Sequence, residues 1–283
     1  MTDRVGVVGC GTMGAGIAEL CARAGLDVRV KVSSPASADA GRERIVRSLD
    51  RAVARGRLTP EARSEACSRI TFTAGFSELA DRQIVIESLP EDEKLKKRAF
   101  TELDAAVTDP EAVLASNTSS LRIGTLADVT ERPERVVGMH FFNPAQILPL
   151  VEVVPCDRTS ATVTAKAERF AADALGKQVI HSTDRCGFVV NALLVPYLIA
   201  AVRMVESGHA TADDVDRGMK LGCSHPLGPL ELADMIGLDT IASVAAALHA
   251  EFAEPVYAPP KLLTDLVEAG NLGRKTGSGF FDY

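Results

Sequence analysis

His140 closes the run VVGMH, and Glu152 stands in LVEVV between Val151 and Val153. Both runs read as strands. A carboxylate with apolar neighbours on either side needs a hydrogen-bonding partner if it is buried. A histidine ending a nearby strand is a natural one. Paired, the glutamate would fix the ring tautomer and raise its basicity, and the histidine would move a proton. The competing reading makes His140 a core histidine bonded to a carbonyl and leaves Glu152 exposed on an edge. Taken alone, the two residues leave both readings open.

Other chemistries find less support. There is no G-x-S-x-G elbow, and Ser119 has no base beside it in sequence, so nucleophilic catalysis is disfavoured. The six cysteines, at 10, 21, 67, 156, 186 and 223, form no C-x-x-C pair and no metal-ligand spacing, so no metal is expected. They read as reduced, mostly buried thiols of a cytoplasmic protein. His225, in SHPLGPLELAD, sits among Pro226, Gly228 and Pro229 and reads as part of a turn.

The elements that must position His140 begin with RVGVVGCGTMGAGIAELCARAG. Val5, Val7 and Val8 predict a buried strand. Gly9, Gly11 and Gly14 then spell G-x-G-x-x-G, and Ile17, Leu20 and Cys21 carry a helical pattern that Gly25 ends. A second strand follows in DVRV. This order is the fingerprint of a dinucleotide site. Gly9 permits the tight turn, Gly11 lets the backbone approach a pyrophosphate, and Gly14 lets helix and strand pack closely. Thr12 and Met13, inside the motif, are counted with them as cofactor-binding. Further strands are expected at Ile84 to Glu87, in AVLAS, and in the runs holding His140 and Glu152. Polar residues, Asn117 to Ser120 among them, collect where these strands end, which is where open α/β sheets bind ligands.

Two features bear on what would bind. Residues 40–57 predict a helix with Arg44, Arg47, Arg51 and Arg55 on one face. That face is either solvated or a patch for a substrate's phosphates. The second strand ends in Lys31, Val32, Ser33 and Ser34, where a ribose-binding acid is expected about 20 residues past the glycine turn. A carboxylate there would repel the 2′-phosphate of NADP. Lys31, Ser33 and Ser34 instead offer a charge and hydroxyl donors, which predicts a preference for NADP(H), with NAD(H) possible.

From residue 187 the strand pattern gives way to helices, the first with Pro196 inside it and expected to kink there. The fold expected is α/β, a Rossmann-type N-terminal domain over residues 1–184 with a smaller all-α domain over 185–283. No apolar run is long enough to span a bilayer and the N-terminus carries no secretory pattern, so no membrane is expected. A net charge of −7 argues against nucleic acid as partner.

GVVGCGTMGAGIA, LASNTSSL, GMHFFNPA, LVEVV, GFVVNALLVPYL, HPLGPLELADMIGLD and GRKTGSGFFDY occur in order. Together they resemble the short monofunctional 3-hydroxyacyl-CoA dehydrogenases, within them the 3-hydroxybutyryl-CoA branch, over essentially the whole chain. The resemblance implies that His140 is the general acid/base with Glu152 orienting it, and that Ser119 and Asn191 hold the reacting oxygen of the substrate. It implies that Asn143 borders the nicotinamide and that Glu91, Lys96 and Lys275 touch the cofactor. Ser48 and Arg55 match positions that contact coenzyme A, arginine standing where the family often has lysine. An acyl-CoA such as acetoacetyl-CoA is the implied substrate, and a homodimer formed through the helical domain is the implied assembly. A dehydrogenase acting on an acyl-carrier-protein thioester or a sugar acid, or a non-catalytic crystallin-like relative, would share the fold.

Overall fold

The computed structural model describes residues 3–283. They divide into two compact units, the first ending at Arg185 and the second running Cys186–Tyr283.

The first unit is built on an eight-stranded sheet. Its elements are β1 (Arg4–Val8), α1 (Thr12–Arg23), β2 (Asp27–Lys31), α2 (Pro35–Ala54), α3 (Pro60–Ser68), β3 (Ile70–Thr73), β4 (Ile84–Glu87), α4 (Glu93–Ala106), β5 (Val113–Ser116), α5 (Ile123–Ala127), β6 (Val136–Phe141), β7 (Leu150–Pro155), α6 (Ala161–Arg169) and β8 (Gln178–His181). The strand order is β3-β2-β1-β4-β5-β6-β7-β8. All pairings are parallel except β6 with β7. β4, β5 and β6 are buried along their whole length, the pattern of parallel strands covered on both faces. The chain leaves β1 toward β2 on one side, while β4 adds on the other. That reversal of order places a crevice at the carboxyl end of β1.

α3 and β3 had no counterpart in the sequence reading. β3 has only four residues, alternates threonine with apolar side chains, and lies on the sheet's edge half-exposed, so its periodicity is weak. α2 begins earlier than the arginine pattern predicted. Ser34 caps it by accepting from the Ser37 amide at 3.2 Å, and Pro35 fills its first turn.

The second unit holds α7 (Val190–Glu206), α8 (Ala212–Gly222), α9 (Pro229–Ile236), α10 (Leu238–Phe252) and α11 (Lys261–Glu268). α7 continues through Pro196 and packs against the other four. Two buried aspartates tie the unit together. Asp216 accepts from the amides of Leu230 and Glu231, both at 2.8 Å, and so caps α9 from outside. The approach needs glycine at 228, where a Cβ would lie 2.1 Å from the Asp216 carboxyl carbon. Asp234 accepts from the Phe280 and Phe281 amides and the Tyr283 hydroxyl, which pins the last residues of the chain. Among the described residues no single helix is long and apolar enough to cross a membrane.

A charged cluster crosses the first unit from α4 to the start of β6. Asp104 accepts from Arg135 at 2.6 Å, from Arg132 at 3.1 Å and from the Glu131 amide at 2.7 Å. Arg135 is fully buried. Burial opposes ionisation of Asp104, but the Arg135 hydrogen bond, the Glu131 amide and the two guanidinium charges outweigh it and hold the carboxyl below its ordinary range. Asp104→Ala would leave a buried guanidinium without its counter-charge, at an expected loss of about 3–5 kcal/mol. A folded pKa below the unfolded value of about 3.9 gives stability that is present above it and lost as pH falls through the folded value. In urea unfolding the gap between wild type and variant should therefore be full at pH 7 and narrow below about pH 4. A gap under about 1 kcal/mol at pH 7, or one that does not change with acid, would contradict this role.

Candidate active site

The antiparallel register of β6 and β7 sets His140 opposite Glu152. The ring nitrogen Nδ1 lies 2.6 Å from Glu152 Oε2. The glutamate is fully buried and the histidine nearly so. A buried carboxylate accepts hydrogen bonds, so the geometry places the Nδ1 proton toward Glu152 and turns Nε2 to the other side of the ring. Nε2 lies 3.1 Å from the Ser119 hydroxyl. The edge-exposed alternative for Glu152 is thereby removed: β8 adds beyond β7 and closes that edge.

Ser119 belongs to the turn after β5, and a carboxylate shapes that turn. Glu91 Oε1 accepts from the Ser119 amide (3.0 Å), the Ser120 amide (3.0 Å), the Ser120 hydroxyl (2.8 Å) and the Thr118 hydroxyl. Burial works against its charge, but Lys96 and these donors prevail and lower its pKa. Lys96 is 1% exposed, and its ammonium donates to Glu87 at 2.7 Å and to the Leu89 carbonyl at 3.2 Å, with Glu91 at 3.4 Å. Lys96, expected from the resemblance to touch the cofactor, thus lies buried beneath Glu91.

Glu87, which ends β4, went unnoticed in the sequence. Fully buried, it takes Lys96 and the Leu89 amide on Oε1 and the Ser116 hydroxyl, at 2.6 Å, on Oε2. The signal was available: like Glu152, it is a carboxylate in an otherwise apolar strand, though it ends β4 where Glu152 lies within β7. Asn117 also serves the frame, accepting from the Phe141 amide at 2.8 Å and so fixing the strand end beside His140.

The glycine turn lies at the carboxyl end of β1. Gly9 has φ +95°, and a Cβ there would meet the Ser88 carbonyl oxygen at 2.6 Å. A Cβ on Gly14 would stand 2.2 Å from the Gly9 carbonyl oxygen. Gly11 differs: a Cβ there would meet no protein atom within 4 Å, so packing does not demand its bareness. Gly11 and Thr12 are exposed, Met13 is half-buried, and α1 starts here with no acidic residue in its first turn. A backbone cradle before an uncapped helix N-terminus fits a dinucleotide pyrophosphate.

At the end of β2, Val32 is buried, its amide donates to the Thr73 carbonyl, and positions 28–38 of the sequence hold no acidic residue. Asp39 lies inside α2 and pairs with Arg42 at 3.2 Å. Lys31 is half-buried and holds its ammonium 4.3 Å above the Phe76 ring. Ser33 is exposed, and the Ser33 and Ser34 hydroxyls converge on that of Ser37 at 3.3 and 3.0 Å.

A cleft of about 620 Å³ runs from the glycine turn along α2 to the loop after β6. Thr12, Ser48 and Asn143 line it together with Arg44, Arg47, Arg51, Arg55 and Arg57. The basic face read from the sequence thus has a cavity in front of it. Gln146, also in its wall, donates to the Ser48 hydroxyl at 3.0 Å. The loop that carries Asn143 and Gln146 is anchored by buried Lys177, which donates to the carbonyls of Ala145 (2.7 Å) and Leu148 (2.6 Å). Asn191 and Lys275 belong to the helical unit. Asn191 is half-buried near the start of α7, and Lys275 is exposed and paired with Asp239. His225 lies in a turn there, its Nδ1 3.1 Å from the Tyr197 hydroxyl.

Two family models match the chain in succession: the NAD-binding domain of 3-hydroxyacyl-CoA dehydrogenase over residues 4–185, and the C-terminal domain of the same enzymes over 187–283. The chain is similar to a 3-hydroxybutyryl-CoA dehydrogenase of Mycobacterium tuberculosis, 55% identical over 281 residues, which span 99% of this chain and 98% of that one. In structure it is similar to M. tuberculosis FadB2, with a TM-score of 0.98 and 54% identity over 100% of this chain and 99% of the other. It also resembles the (S)-3-hydroxybutyryl-CoA dehydrogenase PaaH1 of Ralstonia eutropha, at a TM-score of 0.92 and 43% identity over 100% and 99% of the two chains. With both domains matched in order and a full-length relative at 55% identity, the chain belongs to the 3-hydroxyacyl-CoA dehydrogenase family of NAD(P)-dependent oxidoreductases.

Proposed function

We propose that this protein is a 3-hydroxybutyryl-CoA dehydrogenase that interconverts a β-hydroxyacyl-CoA and the β-ketoacyl-CoA, with acetoacetyl-CoA as its ketone substrate and NADPH as the preferred reductant. The observation that carries the chemistry is the buried His140–Glu152 pair, at 2.6 Å, with Ser119 on the opposite ring nitrogen.

The nicotinamide cofactor, when bound, supplies or accepts the hydride at C3. The chain's own part is the proton and the geometry. In the reducing direction protonated His140 gives its Nε2 proton to the C3 oxygen as that oxygen gains negative charge. In the oxidising direction neutral His140 takes the hydroxyl proton on Nε2. Glu152, already holding Nδ1–H, stabilises the imidazolium and keeps Nε2 facing the substrate. Ser119, held by Glu91 through its amide, hydrogen-bonds the same oxygen, and Asn191 is read as the second donor. Gly9, Gly11, Thr12, Met13 and Gly14 receive the cofactor's phosphates, with Glu91, Asn143 and Lys275 around it. Ser48 and Arg55 in the basic cleft receive the nucleotide end of coenzyme A.

The NADPH preference rests on the end of β2. No carboxylate stands there to accept from the ribose or to repel a 2′-phosphate, while Lys31, Ser33 and the acid-free first turn of α2 favour an anion. A homodimer is the further expectation for the helical unit. The exposed Leu193, Leu221, Met204 and Met235 support it. The buried thiols of Cys10, Cys21 and Cys156 are in keeping with a cytoplasmic protein.

His140→Ala should lower kcat for acetoacetyl-CoA reduction by about two to four orders of magnitude while cofactor affinity stays within about threefold. Turnover near wild type would sink the acid/base assignment. For the cofactor, kcat/KM measured with one acyl-CoA should favour NADPH over NADH by about tenfold or more. Lys31→Ala combined with Ser33→Ala should erase most of that preference. A wild type that favours NADH, or a double variant that keeps its preference, would mean that this strand end does not read the 2′-phosphate.

A further inference from the structure

The basic face of α2 is not uniform in what it touches. Arg47 is paired with Glu43 at 3.7 Å, and Arg42, off this face, with Asp39 at 3.2 Å. Arg44 has no carboxylate partner among the described residues. Its Nη1 donates instead to the carbonyl of Cys10 at 3.2 Å. Cys10 stands between Gly9 and Gly11, inside the turn that forms the phosphate cradle.

The helix is fixed against that turn. A Cβ on Gly41 would lie 2.5 Å from Cys10 Sγ and 2.8 Å from its Cβ, so bare glycine lets α2 close onto Cys10 one helical turn before Arg44. Arg44 is exposed, and it shares a cleft with Thr12, which stands at the first position of α1. One edge of the guanidinium is thus tethered to the cradle while its charge stays open to the same space. Arg51 lies two helical turns farther along α2, and Arg55 caps its C-terminal end a turn beyond that.

We infer that Arg44 is a binding residue for the cofactor's pyrophosphate rather than for coenzyme A, so that the arginines of α2 are divided between two ligands. Tethering lowers the entropy the side chain must lose on binding, and a planar guanidinium can donate to the Cys10 carbonyl with one nitrogen and to a phosphate oxygen with another. The inference rests on the reading of the glycine turn as a dinucleotide cradle and is independent of which acyl thioester is turned over.

The test is direct binding to the full-length protein without acyl-CoA, with Kd for NADH and for NADPH taken from nicotinamide fluorescence. Arg44→Gln should weaken both by about tenfold, and by a similar factor. Arg44→Lys, which keeps the charge but loses the planar fork, should weaken both by an intermediate factor. KM for acetoacetyl-CoA at saturating cofactor should stay within about twofold in Arg44→Gln and rise severalfold in Arg55→Gln. Unchanged Kd for both dinucleotides would overturn the inference. So would a loss confined to NADPH, which would move Arg44 to the 2′-phosphate, or a loss seen only in acyl-CoA KM. A wild type that binds neither dinucleotide would overturn the cradle reading itself and the inference with it.

Discussion

A carboxylate with no exposed surface, in the middle of a strand, is the constraint around which the first unit is arranged. Glu152 is flanked by buried valines, and an unpartnered charge there would be prohibitive. The partner is His140, supplied by the register of the sheet's one antiparallel pairing. That pairing needs β7 to return alongside β6 through the short loop 142–149, and the same loop brings Asn143 and Gln146 to the wall of the basic cleft. Lys177, just before β8, holds the loop by two backbone carbonyls. Burial works against its charge, with Arg23 adding to the effect, and both lower its pKa. The strands that carry His140 and Glu152 therefore also set one wall of the basic cleft.

A second layer of buried charge supports the first. Glu87 and Lys96 form an ion pair that is all but inaccessible to solvent, and Lys96 reaches on to Glu91. Such a pair adds little net stability, since desolvation consumes most of its attraction. Its use lies in fixing geometry. Glu91 is held ionised, and it gathers the amides of Ser119 and Ser120 into one turn. The chain of contacts from Lys96 to the hydroxyl facing His140 Nε2 is continuous. It ties the end of β4 to the turn after β5, where Ser119 faces His140.

Much of this was legible in the residues. The glycine turn, the buried central strands and the helical second half follow from hydrophobic period and from glycine spacing, which are local properties. Glu152 announced itself by its valine neighbours. His140 was legible as a natural partner, but whether the two side chains meet was open, because register is a long-range property: the contact needs β7 to lie antiparallel to β6. β3 and α3 escaped notice because an edge strand and a short, weakly amphipathic helix carry little pattern. Asp216 and Asp234 escaped for another reason: each satisfies backbone amides far away in sequence, and nothing local marks an aspartate for that task. The arginines of α2 were legible as a face, but the tether between Arg44 and Cys10 depends on how closely Gly41 lets two elements approach.

In the proposed mechanism His140 and Glu152 act as one unit on one proton. A double-mutant cycle on kcat tests it directly, with His140→Ala, Glu152→Gln and the combined variant measured at saturating cofactor and acetoacetyl-CoA. If the carboxylate works only through the ring, the combined variant should be no more than about threefold slower than His140→Ala alone. If the two losses multiply in full, each residue acts on the reaction separately, and the pairing across β6 and β7 is a feature of the fold rather than of the chemistry.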